Sequence, residues 1–306
     1  METYRLQLKI RSPLATPIQG DTVFGHICWG IAYHEGEKAL LDFLASYNTE
    51  PQLTISNGFP HGRLPMPILT PSAPEIENRD ALTQLKAIKK QEFVQQELFF
   101  DQSFSFSTET LRNQLPSNNR KNNTLKEAHR THNTINRATG MVEEGGLYAV
   151  SEKYPTKETE MLDLYMTSTL PEKRINELFQ WAFEFGYGAD KSTGKGVLEI
   201  TTIDQLTFPQ DGKRCMALGN FVPAADNKLR GLRANIMTKF GKLGGHFVTS
   251  RNPFKKPILM YKAGATFECP NSTPYVGTLL ENIHKDPEIR HHAFAPVIRY
   301  REEVSK

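Results

Sequence analysis

A helix, a glycine-studded loop and a strand follow one another between residues 171 and 203, and this succession restricts the fold more than any other feature. Pro171 stands where proline is tolerated, at a helix start. Ile175, Leu178, Phe179, Ala182 and Phe183 follow at helical spacing and form one apolar stripe. Gly186 is expected to end that helix. From Gly186 to Gly196 the chain reads Gly-Tyr-Gly-Ala-Asp-Lys-Ser-Thr-Gly-Lys-Gly, and Val197–Ile203 then alternates as a strand. Two nucleotide motifs fail here. One residue too many separates Gly188 from Gly194 for a P-loop, and Gly196 stands where its hydroxyl should be. A dinucleotide fingerprint needs a strand before the loop and a helix after it, the reverse of this order. Two readings remain. Glycines can turn successive amides outward as an anion nest, with Lys191, Lys195, Ser192 and Thr193 adding charge and hydroxyls. The other reading is a plain helix-to-strand connection.

The rest of the chain supplies partners for this unit. Tyr4, Leu6, Leu8 and Ile10 alternate with polar residues, which predicts a strand over 3–10. Asp21 is a plausible N-cap for a helix to about Tyr33, with Phe24, Ile27, Cys28 and Ile31 on its apolar face. A second helical stretch holds Leu40, Leu41, Phe43 and Leu44. Thr54–Phe59 and Leu98–Phe106 read as strands, and Ala81–Gln96 as a polar helix. Leu115–Asn136 is too polar to build a core and is expected to project as a loop or hairpin. Leu147–Val150 and Leu162–Met166 return to strand patterning. Beyond Asp204, Arg214–Val222, Ile258–Phe267 and Ala293–Tyr300 predict strands, and Val276–His284 a helix. The order is compatible with an α+β fold of two ferredoxin-like units, residues 1–203 and 204–306, with an insertion around 107–140 in the first. A length of 306 residues suits two domains at roughly 100–200 residues each.

The formal net charge of +3 hides its distribution. Residues 228–262 hold nine bases and no acid, while residues 112–137 carry +5, leaving −11 elsewhere. Such asymmetry fits a polyanion-facing surface beside an acidic one, or else solvated loops. Cys28, Cys215 and Cys269 are far apart in sequence and predict no disulfide framework and no zinc pair, as in a reducing cytoplasm. His284, His291 and His292 match no zinc spacing, so neither metal nor cofactor is expected. Residues 1–10 lack a signal peptide's apolar block, and no run reaches the roughly 18 residues of a membrane helix. A soluble, cytoplasmic protein without membrane contact is the expectation.

The glycine loop, set between a helix and a strand, resembles the signature loop of the RAMP superfamily of CRISPR RNA-binding proteins. Residues 20–29, Gly-Asp-Thr-Val-Phe-Gly-His-Ile-Cys-Trp, are similar to the first-helix motif of one branch. Residues 132–140, His-Asn-Thr-Ile-Asn-Arg-Ala-Thr-Gly, resemble that branch's Asn-x-Ile-x-Arg-x-Thr-Gly segment, with His132 where an arginine is expected. The branch is the fourth subunit of the Csm complex, the type III-A CRISPR effector. The last third of the chain matches only in pattern, best at Tyr275-Val276-Gly277.

The resemblance implies two ferredoxin-like domains, no catalysis, and three partners. These are the repeat-derived 5′ handle of crRNA, the large polymerase-cyclase subunit and the backbone RAMP subunit. It carries Gly20, Asp21 and His26 over from the first motif, and Asn133, Arg137 and Thr139, with His132, from the second. From the loop it carries Gly186, Gly188, Lys191, Ser192, Gly194, Lys195 and Gly196. Arg230 and Arg233, from the acid-free stretch, join the RNA-binding candidates. Handle RNA needs phosphate contacts and base stacking. Arg137 suits a forked phosphate contact. Tyr187 is either a stacking platform or packing against the preceding helix. Asp21 either caps its helix or leaves that helix's amides to a phosphate. His26 lies away from the apolar stripe and could serve a metal-independent RAMP endonuclease as acid or base. No second acid or base is placed beside it, so binding or packing is favoured. A general RNA-binding module outside CRISPR is the third reading.

Overall fold

The computed structural model describes residues 1–71, 79–114, 125–225, 228–245, 247, 252–269 and 274–303. In chain order the elements are β1 (Glu2–Ile10), α1 (Gly20–His34), α2 (Glu37–Ser46), β2 (Leu53–Ile55), β3 (Phe59–Pro60), β4 (Arg63–Pro65), α3 (Arg79–Lys90), β5 (Phe93–Gln95), α4 (Glu97–Phe100) and α5 (Thr108–Gln114). Then come β6 (Lys126–Ile135), β7 (Val142–Tyr154), β8 (Met161–Ser168), α6 (Glu172–Phe183), β9 (Leu198–Leu206), β10 (Arg214–Ala217), β11 (Ile236–Lys239), β12 (Ile258–Tyr261), β13 (Thr266–Glu268), β14 (Tyr275–Leu280) and β15 (His291–Tyr300).

The N-terminal alternation behaves as its period dictates. Tyr4, Leu6, Leu8 and Ile10 are buried while their neighbours stay partly exposed. β1 lies between β8 and β9, and β2 flanks β8, in the antiparallel spatial order β2-β8-β1-β9. The chain order β1-α1-β2-β8-α6-β9 is thus a β-α-β-β-α-β unit. α1 and α6 pack together over this sheet. Gly30 admits that approach: a Cβ there would lie 2.7 Å from the Cβ of Trp181. The predicted stripe of α6 is buried throughout. Each such Leu, Ile or Phe stabilises the fold by about 1.5–3 kcal/mol. Pro171 is the residue that precedes the first turn, in extended conformation, and its carbonyl accepts the amides of Arg174 and Ile175.

The second sheet has the order β13-β10-β15-β14, all antiparallel. Both of its faces are covered. Cys215, Ala217, Phe267, Val276, Ala295 and Val297 form one core, while Met216, Ile298 and Tyr300 join Phe59, Phe99, Phe106 and Tyr165 in another. Phe294 belongs to the core of the first sheet, so apolar packing runs through from one sheet to the other.

Several expectations are corrected. Residues 276–284 begin as strand β14, not a helix, because Tyr275–Leu280 pairs with β15 along its length. Leu98–Phe106 is no strand: α4 is followed by irregular chain, and Phe99 of α4 and Phe106 beyond it pack on Tyr300. Residues 258–267 split into β12 and β13. Cys215 and Cys269 are joined as a disulfide with their Cα atoms 5.0 Å apart, because β10 pairs with β13 and brings distant cysteines together. Cys28 is free. Of the segment expected to project, residues 115–124 lie outside the described residues, and the rest is β6, paired with β7 as a hairpin. Among the described residues no helix is long and apolar enough to cross a membrane.

Candidate nucleic-acid interface

Three motif-bearing segments meet around residues 11–19. The glycine loop folds back on this segment through its amides. Gly196 donates to the Pro13 carbonyl at 2.9 Å, Ala189 to Thr16 Oγ1 at 2.9 Å and Val197 to Ser12 Oγ at 2.8 Å. Tyr187 donates to the Gly196 carbonyl at 2.8 Å, closing the loop. Glycine is required at the closure: Gly196 has φ +67°, and a Cβ there would lie 2.0 Å from the Tyr187 oxygen. Gly188, at φ +78°, would clash with Thr16 in the same way. Gly186 is buried with φ +79°. The open-nest expectation is therefore narrowed. Most loop amides are bonded within the loop or to the segments it packs on, and those of Asp190, Lys191 and Ser192 at its apex are outside these bonds. Lys191, Ser192 and Gly194 are exposed there.

Tyr187 is not a stacking platform. It is fully buried, its hydroxyl donates to the Pro17 carbonyl at 2.8 Å and accepts from the Gln19 amide at 3.1 Å, and burial raises its pKa. Its ring lies 5.1 Å from that of His26. His26 Nε2 accepts the Gly188 amide at 3.1 Å, which ties the loop to α1. Burial, with the nearby Lys191 charge, pushes the His26 pKa down to about 4, so the ring is neutral at pH 7. The lone pair that a general base would use is engaged by the Gly188 N–H.

Asp21 does not cap α1. Gln19 occupies that position, and Asp21 lies buried in the first turn with Oδ2 2.8 Å from Lys239 Nζ. Lys239 also donates to Thr22 Oγ1 at 3.1 Å and to Gln19. Burial alone would raise the Asp21 pKa; its charged and hydrogen-bonding neighbours, Lys239 first among them, together outweigh burial and hold the carboxylate below its usual value. The carboxylate also complements the positive end of the helix dipole. The site is closed to a phosphate. Gly20 is buried as well, where a Cβ would lie 2.1 Å from the Ile55 oxygen.

The β6–β7 hairpin carries the second motif at its tip. Asn136 Oδ1 accepts the amides of Ala138 and Thr139 at 2.9 and 3.3 Å, and Gly140 turns the chain at φ +68°. Asn133, Arg137 and Thr139 are exposed around this turn. Ile135, Val142, Leu147 and Tyr148 are exposed beside them. His132 is partly buried, stacked on Tyr148 with centroids 5.6 Å apart. At the hairpin base the fully buried Glu152 gathers Lys195 Nζ at 2.8 Å, the Tyr154 hydroxyl and, farther off, Arg130 and His132. The hydrogen bond from Lys195 is the first cause of its lowered pKa. Lys195 is therefore a strut between loop and hairpin and not a free phosphate contact. Leu14 and Lys153 exchange backbone hydrogen bonds at 2.9 and 2.8 Å and fix the same joint. Glu152 escaped sequence reasoning; an acid alternating with bases across a polar hairpin was the available signal.

The acid-free stretch divides. Arg233 pairs with Glu302 at 3.0 Å, and Lys255 is largely buried, donates to the Arg290 carbonyl at 2.7 Å and has a pKa lowered by burial to about 8. Arg233, like Lys239, is thus engaged within the fold, whereas Arg230, Lys228, Lys242 and Lys262 are exposed. His291 and His292 are buried, with burial lowering their pKa values to about 3 and about 4. No group of three metal-ligating side chains occurs among the described residues.

No family model matches the sequence, and no curated protein matches it. Solved structures do match over the whole chain. A chain of a Csm1–Csm4 cassette in complex with AMPPNP has a TM-score of 0.61 at 14% identity, with 100% of each chain covered. A chain of the cassette in complex with cA4 has a TM-score of 0.63 at 13% identity, covering 99% of this chain and 100% of that one. A chain of the Csm3–Csm4 subcomplex in the type III-A CRISPR-Cas interference complex has a TM-score of 0.59 at 13% identity, covering 98% and 100%. The chain shares its fold with these chains of the Csm1–Csm4 and Csm3–Csm4 assemblies. The likeness includes the last third, where the sequence motifs offered little. At these identities it concerns the fold.

Proposed function

We propose that this chain is a non-catalytic scaffold subunit of a type III-A CRISPR (Csm) interference complex, working in the cytoplasm. It binds the repeat-derived 5′ handle of crRNA and joins the large polymerase-cyclase subunit to the backbone RAMP subunit. The reading includes two ferredoxin-like domains, 1–203 and 204–306, although that division falls just before the end of β9 and the described second sheet carries no helix. One observation carries the proposal: the first-helix motif, the glycine loop and the β6–β7 hairpin converge on one segment and leave Lys191, Ser192, Asn133 and Arg137 outward. Those side chains suit phosphate and ribose groups of a single strand. Relatives in fold come from assemblies named for Csm1 with Csm4 and Csm3 with Csm4, which supports the choice of partners.

Two measurements test this. Substituting Lys191 and Arg137 together by Ala should strip guide RNA from the purified complex while leaving the fold intact; full retention would refute the assignment. Incubating the protein with repeat RNA and EDTA should give no cleavage. Specific cleavage lost in His26→Ala would instead establish a metal-independent endonuclease.

A further inference from the structure

β11 and β12 form a two-stranded ribbon that lies outside the three sequence motifs and packs against the first of them. β11 and β12 pair from Ile236–Tyr261 to Lys239–Ile258, and the pairing continues past Lys239. Lys255 donates to the Gly241 carbonyl and Leu243 to the Pro253 carbonyl, each at 2.8 Å, and Lys242 stands opposite Phe254. Alternation then sorts the side chains. Met237, Ile258 and Met260 turn inward on a small core, and Lys239 turns inward to Asp21. The outer face shows Phe240 at 70% exposure, Leu259 at 65%, and Phe254 and Ile236 at 54% each.

Two features decide what covers this face. The first is charge: the ribbon lies inside the 228–262 stretch, which has nine bases and no acid, and although Arg233, Lys239 and Lys255 are engaged within the fold, Lys242 on the ribbon and Lys262 beside it are exposed. Exposed cations beside an apolar face favour a polyanion over an ordinary protein surface. The second is the placing of a cation on an aromatic face, with Lys242 Nζ 5.8 Å from the Phe254 ring centroid. Flat rings interleaved with lysines are what successive bases and phosphates of a single strand need. The ribbon also adjoins the surface already described. Lys239 reaches Gln19, whose amide bonds the Tyr187 hydroxyl beneath the glycine loop, and Gly244 and Gly245 lie against Trp29 of α1.

We infer that the outer face of this ribbon is a second single-stranded RNA platform. Phe240 and Phe254 stack bases there, and Lys242 contacts a phosphate. The inference rests on the proposed RNA-binding role and extends its track onto the C-terminal half.

The test uses the full chain and a labelled, mixed-sequence single-stranded oligoribonucleotide. The double variant Phe240→Leu with Phe254→Leu keeps apolar bulk and removes the ring faces. It should bind about tenfold more weakly. The double variant Phe240→Trp with Phe254→Tyr should bind as the parent does. Unchanged binding in the leucine pair, or no binding by the parent chain, overturns the platform. Neither outcome touches the handle-binding role, which guide retention in the Lys191 and Arg137 variants decides separately. A benzophenone amino acid placed at Phe240 in the assembled complex should cross-link to RNA. Cross-linking only to a protein subunit would overturn the platform and mark the ribbon as a subunit contact.

Discussion

The two basic stretches meet different fates. In the hairpin, Lys126 and Arg137 stay exposed and only Arg130 nears a carboxylate, that of Glu152 at the base, because the outer part of a projecting two-stranded element has no core beneath it to demand counter-ions. In the 228–262 stretch, Arg233, Lys239 and Lys255 turn inward and meet Glu302, Asp21 and the Arg290 carbonyl. Those carboxylates come from distant parts of the chain. A stretch without local acids therefore need not present all of its charge, and some of its bases hold the two halves of the molecule together. The difference is one of environment. An exposed cation is screened and free to exchange partners, whereas a buried one requires a fixed partner.

That contrast can be broken most sharply at Lys239. Lys239→Ala leaves the Asp21 carboxylate buried without its counter-ion and should destabilise the protein by about 3–5 kcal/mol, read from urea unfolding. A change below 1 kcal/mol (on the order of a surface substitution) would show that the pair is not structural. Acid should separate the two regions next. His26, His291 and His292 are held neutral, with folded pKa values of about 4, about 3 and about 4. Below the usual histidine pKa the unfolded chain binds more protons than the folded one. Stability should therefore be full above about pH 6.5 and fall as the pH drops toward 4. Unfolding midpoints at pH 7 and pH 5 check the direction, and a protein equally stable at both would contradict the burial of these rings. The smallest stability effect belongs to the hairpin: Arg137→Ala should change stability by less than about 0.5 kcal/mol. The same variant should lower the salt dependence of RNA binding by about one counterion. A strongly destabilised Arg137 variant would erase the distinction between the two stretches.

Elements with long, clean periods were legible without coordinates. β1, α1, α6 and β9 follow from alternation at 2 or at 3.6 residues. Short apolar runs were not. Val276, Leu279, Leu280 and Ile283 have helical spacing, yet the segment begins as a strand because β15 offers a ladder along residues 275–280. At the candidate surface, residue type announced the glycine loop, but not which amides were free. Gly196 closes the loop on Tyr187, Gly188 fits against Thr16 and bonds His26, and Tyr187, read as either platform or packing, is packing. Lys191 and Lys195 are close in sequence and alike in chemistry; one is exposed and the other is a buried strut, because only Lys195 faces Glu152.

By itself the sequence determined the β-α-β-β-α-β frame of the first half, the polar projecting insertion, and the presence of a glycine-built connection before β9. These depend on periodicity, on polarity, and on backbone conformations that only glycine adopts easily, all of which are local. Tertiary structure decided the Cys215–Cys269 bond, the partners of Asp21 and Glu152, and which bases remain outside. Each depends on which distant strand or loop arrives alongside, and pairing across the fold leaves no trace in local spacing.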